Sequence, residues 1–289
     1  MAGDRGYAPK EDRLVRDELS KLGEKIRNWA RRHSVSSLAD LEGVSGDRKD
    51  LIVEELRGYT VQADWDTLIG KMTFSPSKIP TLLLQALVVK DVFERMFGDA
   101  FFAFTKFRGE SNVLDSEEMR RAHNMMAQIN EADAHIWRSQ TLQNLSKSVG
   151  SESKSVVQQR IDSVCSQLVS DFVDNPAREL LRPARDGGSA RRKELEALYN
   201  GAAQLASSLW TQRTFMVCQS QQGLPVFNVA NPAMSAHRLH QLDEDDQKLD
   251  GNKVMLFVQP AILAFGTENA EDYDRGKVWA PAIVVVDEK

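Results

Sequence analysis

The sequence has few cysteines, no long apolar run and no secretory leader, and each shortage excludes a class of protein. Two cysteines among 289 residues, Cys165 and Cys218, do not supply the disulfide framework of a small secreted domain. The longest apolar run is cut by Lys90 and Asp91, well short of the roughly 18 residues that a membrane span needs. Residues 1–13 lack the apolar segment of a secretory signal. The sequence therefore predicts an intracellular protein, cytoplasmic or nuclear, with no membrane span.

The chain also lacks a strong charge of either sign. It has 37 Lys and Arg against 42 Asp and Glu, a formal net charge of −5. This weak acidity argues against a whole surface built for polyanions, although local basic patches remain possible. The glycine-rich nucleotide loops, H-E-x-x-H, G-x-S-x-G and C-x-x-C are all missing from the sequence. With 42% hydrophobic residues, the composition is that of a soluble globular protein with a sizeable core.

The most apolar stretch, at about 79–104, organises the rest of the prediction. Across positions 82–89 only Gln85 is polar. A helix that is apolar on all sides has no solvent face, so other elements must cover it. We therefore predict a mostly α fold, a multi-helix domain around a buried central helix at about 79–104. A buried Gln85 needs a hydrogen-bond partner. If it faces a cavity, that cavity is the first place to look for a site.

Apolar periodicity extends this prediction to the whole chain. Residues 1–12 are expected to form a flexible N-terminal arm, and residues 13–289 a single mostly helical domain with a β-containing part at about 223–289. Apart from the central helix, helices are predicted at about 12–33, 47–59, 65–72, 115–146, 154–175 and 190–218. Strands rich in β-branched residues are predicted at 254–258 and 278–286, as a small pair separated by a loop at 259–277.

The C-terminal part carries a resemblance to a known family. The segment Val258-Gln259-Pro260-Ala261-Ile262-Leu263-Ala264-Phe265-Gly266 is followed by Asp272-Tyr273-Asp274 and by an apolar stretch at 278–286. This order is similar to the ending of a family of uncharacterised filamentous-fungal proteins, in which a V-x-P-x-L-x-K-x-G segment precedes a Y/F-D pair and a final hydrophobic strand. The helix containing Trp29, the apolar central helix, and Trp137-Arg138 with Thr141 are also similar.

This resemblance spans most of residues 13–286. It departs from the family at the position before the glycine, where the family has a basic residue and this chain has Ala264 and Phe265. The resemblance implies a mostly helical fold and a fungal source. It implies no activity, because none is established for the family.

Two acidic segments contain residue types that bind metals. His237 and His240 are three residues apart and precede the acidic run Asp243, Glu244, Asp245 and Asp246, a mixture of ligands that could hold zinc or another divalent ion. Asp250-Gly251-Asn252 lacks the alternating ligands and the closing glutamate of a calcium-binding EF-hand. An exposed acidic loop is the favoured interpretation. No metal ligand is assigned, and a role for 237–250 stays open.

Three pairs have the spacing of catalytic groups. Glu131 and His135 are four residues apart on a predicted helix and could form an acid–base pair. A surface hydrogen bond or a buried core histidine is the favoured interpretation. Ser75 with Lys78, and Ser151 with Lys154, have the spacing of a lysine-activated serine, but the companion motifs are absent. No catalytic residue is assigned.

Two basic clusters remain. The first, at the end of the first helix, consists of Arg27, Arg31, Arg32 and His33. The second is 178–193, which also contains Pro183 and Gly187-Gly188 and is predicted to be a flexible surface loop. Either cluster could contact phosphates. The acidic run at 243–250 offers a counterweight within the chain, so a solvated surface is favoured over nucleic-acid binding.

On balance we expect a non-enzymatic intracellular helical scaffold or protein-interaction module whose partner is another protein. The first alternative is an enzyme or small-ligand binder without a linear motif. The second is a nucleic-acid-associated factor that uses the basic stretch 178–193. The sequence assigns no cofactor, no cofactor-binding residue and no oligomeric state.

Overall fold

A computed structural model of the chain describes residues 9–107, 115–147, 155–184, 187–243 and 246–288. The fold is mostly helical with a small C-terminal β region, as predicted. The helices in the described ranges are α1 (Asp12–His33), α2 (Gly46–Glu55), α3 (Trp65–Lys71), α4 (Ile79–Val92), α5 (Ser116–Ile129), α6 (Glu131–Ser146), α7 (Val156–Asp174) and α8 (Ser189–Trp210). The strands are β1 (Phe215–Gln219), β2 (Met234–Ala236), β3 (Val254–Gln259), β4 (Ala261–Phe265), β5 (Gly276–Ala280) and β6 (Ala282–Val286).

Helix α4 is the buried centre of the fold. Its side chains are buried on every side, and it packs against α1 and β3. A single π-helical turn, Phe93–Phe97, follows it, and the Gly98 N–H donates to the Phe93 carbonyl at 2.8 Å. A Cβ at Gly98 would lie 2.7 Å from the Glu94 carbonyl oxygen, so only glycine fits this tight end. The central helix therefore stops at residue 97, earlier than the predicted 104.

The β region is larger than the predicted strand pair. The strands form two three-stranded sheets, one in the order β1-β4-β5 and the other in the order β2-β6-β3. Strand β4 occupies residues that were predicted to be a loop. Pro260 separates it from β3, and β4 pairs with β1 and β5 in the other sheet. The first strand begins at Phe215, where the sequence predicted the end of a helix. The register pairs Cys218 with Ile262 in β4, and this pairing replaces the last helical turn.

Asn130 divides what was predicted to be one helix at 115–146. Its backbone is extended, with φ −151°, and its side chain accepts a hydrogen bond from the Asp133 N–H at 3.2 Å. An asparagine in this position caps the next helix, so α6 starts directly after α5 ends. At the start of α5 the Asp115 side chain caps the helix by accepting a 2.9 Å hydrogen bond from the Glu117 N–H.

The end of α1 is tied to the segment before α8. The Val35 N–H donates to the Leu180 carbonyl at 2.9 Å, and the Arg182 N–H donates to the His33 carbonyl at 2.8 Å. These bonds bring the two basic clusters of the sequence side by side. The stretch 178–193 is also less irregular than predicted, because a 3-10 turn ends at Leu180 and α8 begins at Ser189.

One continuous cluster of buried side chains includes residues from all eight described helices and all six described strands. No helix within the described ranges is both long enough and apolar enough to cross a membrane. Residues 1–8 of the predicted N-terminal arm lie outside the described residues.

Candidate functional site

A cavity of about 340 Å³ lies between the C-terminal end of α1 and the N-terminal half of α4. We call it the Gln85 cavity. Its volume is within the range of small-molecule sites in proteins, about 300–1,000 Å³. Its wall consists of Arg27, Arg31, Ser34, Val35, Ser36, Ser77, Lys78, Thr81, Leu82, Gln85, Arg182, His237, Arg238 and Leu239.

Helical periodicity brings much of this wall together. Arg27 and Arg31 are four residues apart and share one face of α1. On α4, Thr81, Leu82 and Gln85 lie on one face with Lys78, which caps the helix. The remaining wall comes from Arg182, whose N–H is bonded to the His33 carbonyl of α1, and from the turn at 237–239, whose His237 N–H is bonded to the Val284 carbonyl of β6.

Five cationic side chains converge on the cavity. They are Arg27, Arg31, Lys78, Arg182 and Arg238, and no aspartate or glutamate lines the cavity with them. Among the described residues none of the five forms an ion pair, whereas the neighbouring Arg32 is paired with Glu194 at 2.8 Å. The first turn of α4 adds the positive end of a helix dipole and contains no acidic residue. The cavity is therefore strongly electropositive.

Gln85 forms part of the inner wall and is only 5% exposed. Its Nε2 donates to the Val258 carbonyl of β3 at 3.1 Å, which fixes the amide orientation because a carbonyl oxygen can only accept. Its Oε1 is buried and has no hydrogen-bond partner in the protein. An unpaired buried acceptor is rare and costs about 1–3 kcal/mol.

His237 is also in the wall and is 7% exposed. Its Nδ1 accepts a hydrogen bond from the Leu239 N–H at 3.3 Å, so its ring proton is on Nε2. Burial, together with the charges of Arg238, His240 and Arg27, lowers the His237 pKa to about 4. The ring is therefore a neutral hydrogen-bond donor at pH 7.

Hydroxyl and apolar groups complete the cavity. The Ser34 and Thr81 hydroxyl oxygens are 2.7 Å apart and form a hydrogen bond. Val35 and Leu82 are buried, and Leu239 packs against the hydrophobic core. The cavity thus combines cations with hydroxyl groups and a small apolar surface.

The two histidines proposed as metal ligands are used separately. His240 lies away from the cavity wall, with its Nδ1 2.7 Å from Glu288 Oε1 and its Nε2 accepting from the Val286 N–H at 3.0 Å. Both of its ring nitrogens are thus engaged by the protein. No group of three or more His, Cys, Asp or Glu suited to a metal ion occurs among the described residues. Glu244 and Asp245 lie outside the described residues, and Asp250 accepts from the Val229 N–H at 2.7 Å.

Glu131 and His135 do not form a hydrogen bond, since Glu131 Oε1 is 3.9 Å from His135 Nε2. His135 is buried, and its Nδ1 lies 3.2 Å from His123 Nε2 and 3.3 Å from Arg138 Nη1. Burial, together with the nearby Arg138 and His123, lowers its pKa to about 3. The ring packs against Tyr273, with centroids 4.4 Å apart. This is the setting of a neutral core histidine.

The other candidate nucleophiles have ordinary surroundings. The Ser75 hydroxyl oxygen is 3.0 Å from that of Ser77, and Lys78 is in the wall of the Gln85 cavity. Ser151 and Lys154 lie outside the described residues. Burial raises the pKa of the Cys165 and Cys218 thiols to about 12, so both are neutral at pH 7.

Sequence reasoning found some of the cavity residues and missed others. Gln85 and both basic clusters stood out in the sequence, and the structure joins parts of all three. Arg238 was missed because it is an isolated cation beside two histidines. Arg32 and His33 belong to a predicted cluster but pair with Glu194 instead of lining the cavity.

Comparison of the chain with protein-family models, with curated proteins and with solved structures finds no match. The resemblance to a filamentous-fungal family therefore stays a prediction. The function has to be argued from the cavity itself.

Proposed function

We propose that this protein binds a small phosphate-bearing molecule in the Gln85 cavity. This is the small-ligand alternative of the sequence analysis, and it rests on one observation: five cations without ion-pair partners among the described residues surround a cavity with no carboxylate in its wall. We also propose an intracellular location, which is supported by the free thiols of Cys165 and Cys218.

Phosphate suits the chemistry of this wall. Four of the five cations are arginines, and the planar guanidinium group donates two parallel hydrogen bonds to a phosphate. The first turn of α4 has no side-chain cap, and backbone N–H groups at a helix N-terminus favour anions. Bringing five like charges together is unfavourable, and a bound dianion would offset much of that repulsion.

The first test is thermal unfolding with increasing inorganic phosphate at low ionic strength. A ligand that binds only the folded state stabilises it by about 2.7 kcal/mol at a hundredfold excess over its Kd, so we expect Tm to rise by several degrees. The double variant Arg31→Gln/Arg238→Gln should lose this specific rise. The matched control is Arg13→Gln, which removes the charge of an exposed arginine about five turns away on α1.

The control also separates binding from the general stabilising effect of phosphate, which is excluded from protein surfaces. That effect is the same in all the variants. An equal rise of Tm in the wild type and in the double variant would contradict the proposed site. Tight, salt-dependent binding of RNA or DNA that is lost in the double variant would favour the nucleic-acid alternative instead.

The protein-interaction module expected from the sequence stays a second candidate, and one surface feature favours it. Met125 and Ile129 are four residues apart on α5 and are 62% and 89% exposed. Adjacent apolar side chains on a helix surface are typical of protein contacts. If they bind a partner, a stoichiometric protein recovered from a native extract should be lost with Met125→Lys/Ile129→Lys and kept with Arg31→Gln/Arg238→Gln. Loss of the partner in neither variant would contradict this second role.

A further inference from the structure

We infer that the ligand of the Gln85 cavity carries two phosphate groups, which bind to two separate groups of cations in the cavity wall. This inference rests on the proposed function and names the chemical class of its ligand. It starts from the number of cations in the wall and from the way in which the fold groups them.

Five cations are more than one phosphate group can balance. A phosphate monoester carries a charge of about −1.5 to −2 at pH 7. With one such group bound, about three positive charges would remain in a wall that contains no aspartate or glutamate. A second phosphate group would bring the charge of the ligand to about −3 to −4 and would balance most of the wall.

Three of the cations surround the first turn of α4, and we call this group the α4 subsite. Arg31 and Arg182 meet at the end of α1, because the Arg182 N–H donates to the carbonyl of His33, two residues after Arg31. Lys78 lies at the start of α4, one turn before Thr81, whose hydroxyl group is held at the end of α1 by a 2.7 Å hydrogen bond. The positive end of the α4 dipole adds to these charges.

The other two cations form a second group, which we call the His237 subsite. Burial lowers the pKa of His237, and the charges of Arg238 and Arg27 contribute to this lowering, so both guanidinium groups lie near its ring. Arg27 is half-buried, whereas the three cations of the α4 subsite are exposed. On α1, Arg27 and Arg31 are one turn apart, about 6 Å along the helix axis. The two subsites are therefore distinct, yet close enough for one small molecule to reach both.

A covalent link between the two phosphates has a specific advantage at such a site. Two free phosphate dianions would repel each other if both entered one small cavity, so orthophosphate should bind only once per chain. In a bisphosphate the same repulsion is present before and after binding, so it does not oppose the second contact. Once the first phosphate is bound, the link also holds the second at a high effective concentration.

The rest of the wall favours a non-aromatic skeleton between the phosphates. None of the wall residues is a phenylalanine, tyrosine or tryptophan, so a nucleobase would have no large aromatic ring to stack on. The wall instead contains the hydroxyl groups of Ser34 and Thr81 and the aliphatic side chains of Val35, Leu82 and Leu239. The volume of about 340 Å³ equals that of about eleven water molecules in the liquid, room for a single small bisphosphate.

The test is calorimetric titration of the full chain, at one low ionic strength, with pairs of ligands that differ by one phosphate group. The pairs are orthophosphate and pyrophosphate, 3-phosphoglycerate and 2,3-bisphosphoglycerate, and fructose 6-phosphate and fructose 1,6-bisphosphate. We expect at least one ligand with two phosphates to bind about tenfold more tightly than its partner with one, because the second phosphate gains charge-assisted hydrogen bonds of its own.

The variant Arg27→Gln/Arg238→Gln removes the His237 subsite and keeps all three cations of the α4 subsite. It should reduce the affinity for the best bisphosphate to about that of its monophosphate partner. Most of the orthophosphate affinity should remain, because the subsite with more cations is the one that a single phosphate prefers. The control Arg13→Gln should bind both ligands of each pair as the wild type does.

The outcomes separate this inference from the proposed function. If orthophosphate binds and no ligand with two phosphates exceeds its partner in the wild type, the inference is wrong and the phosphate site stands. A preference for two phosphates that persists in Arg27→Gln/Arg238→Gln would contradict the second subsite. If adenosine diphosphate binds more tightly than every bisphosphate without a base, the ligand class is wrong. If no phosphate binds, or if binding is unchanged in Arg31→Gln/Arg238→Gln, the proposed function itself fails. The comparison of ligand pairs in the wild type decides the inference even if a double variant does not fold.

Discussion

The side chain of Gln85 has two hydrogen-bonding ends with different surroundings. Its nitrogen contacts the Val258 carbonyl and so ties α4 to β3, which is a structural role. Its oxygen is buried and has no hydrogen-bond partner in the protein. The first end explains why a polar residue is tolerated in an otherwise apolar helix. The second end is an unpaired acceptor that no donor among the described residues satisfies.

A second buried residue, His135, predicts how stability depends on pH. It faces His123 from α5, Arg138 and Glu131 from its own helix, and Tyr273. Its folded pKa of about 3 is far below the value of about 6.5 expected in the unfolded chain. Between these values the unfolded state binds more protons, so the free energy of unfolding falls as pH is lowered from about 6.5 towards 3, by up to about 1.4 kcal/mol per pH unit.

The variant His135→Asn tests this, because the asparagine oxygen can keep the acceptor role of Nδ1 and cannot titrate. We expect urea unfolding at pH 7, 5.5 and 4.5 to show a shallower loss of stability in the variant than in the wild type. The remaining loss comes in part from His123 and His237, whose pKa values are also lowered by burial. Identical slopes for the two proteins would contradict the assignment of His135 as a neutral core histidine.

At the scale of elements, Arg138 joins α6 to the turn after α8. Its Nη2 donates to the carbonyls of Gln212, Arg213 and Thr214 at 2.6, 3.2 and 3.0 Å. Its guanidinium also lies 5.3 Å from the centroid of the Trp210 ring. Three successive carbonyls therefore point towards Arg138. This arrangement fixes the turn between the end of α8 and the start of β1.

We expect Arg138→Lys to destabilise the protein by about 2–4 kcal/mol although it keeps the charge. The lysine side chain is shorter and lacks the planar guanidinium that lies over Trp210, so its ammonium group does not reach all three carbonyls, and each unpaired buried carbonyl costs about 1–3 kcal/mol. Urea unfolding measures the loss. The control Arg121→Lys, at an exposed position on α5, should stay within about 0.5 kcal/mol of the wild type. A similarly small effect at Arg138 would show that the turn does not depend on the guanidinium.

The sequence predicted elements well where one pattern decided them. The buried central helix followed from a run with a single polar residue, and most other helices followed from apolar periodicity. The break at Asn130 was missed because apolar residues continue on both sides of it, and only the side-chain cap reveals the boundary. Strand β4 was missed because its partner strand β1 lies in a segment with a helical pattern. A strand becomes recognisable once its partner is known.

At the scale of the molecule, the Gln85 cavity is assembled from four distant parts of the chain. They are helix α1, the start of α4, the segment at Arg182 and the turn at 237–239. A backbone hydrogen bond of 2.8 Å from the Arg182 N–H to the His33 carbonyl holds the second basic cluster at the end of α1, and one of 2.7 Å from the His237 N–H to the Val284 carbonyl fixes the turn on β6. The sequence showed basic clusters and one informative glutamine, but it contained no signal for these long-range bonds. Without knowledge of these bonds, each basic cluster has the pattern of a solvated surface, and the sequence analysis interprets both clusters in that way.

The convergence of cations also predicts an effect on the ligand-free protein. In phosphate-free buffer at low salt, Arg31→Gln/Arg238→Gln should raise the free energy of unfolding by about 0.5–1 kcal/mol, because it relieves like-charge repulsion. The gain should shrink at 1 M salt, where the Debye length is about 3 Å. Arg13→Gln should show no such gain. A double variant that is less stable than the wild type would mean that these cations have stabilising partners.

The central claim, that the Gln85 cavity is an anion site, is tested most directly by calorimetric titration of the protein with inorganic phosphate in a low-salt, phosphate-free buffer. The account predicts saturable binding to one site per chain, weakened at least tenfold by Arg31→Gln/Arg238→Gln and unchanged by Arg13→Gln. Absence of saturable binding up to millimolar phosphate, or equal affinity in all three proteins, would contradict it.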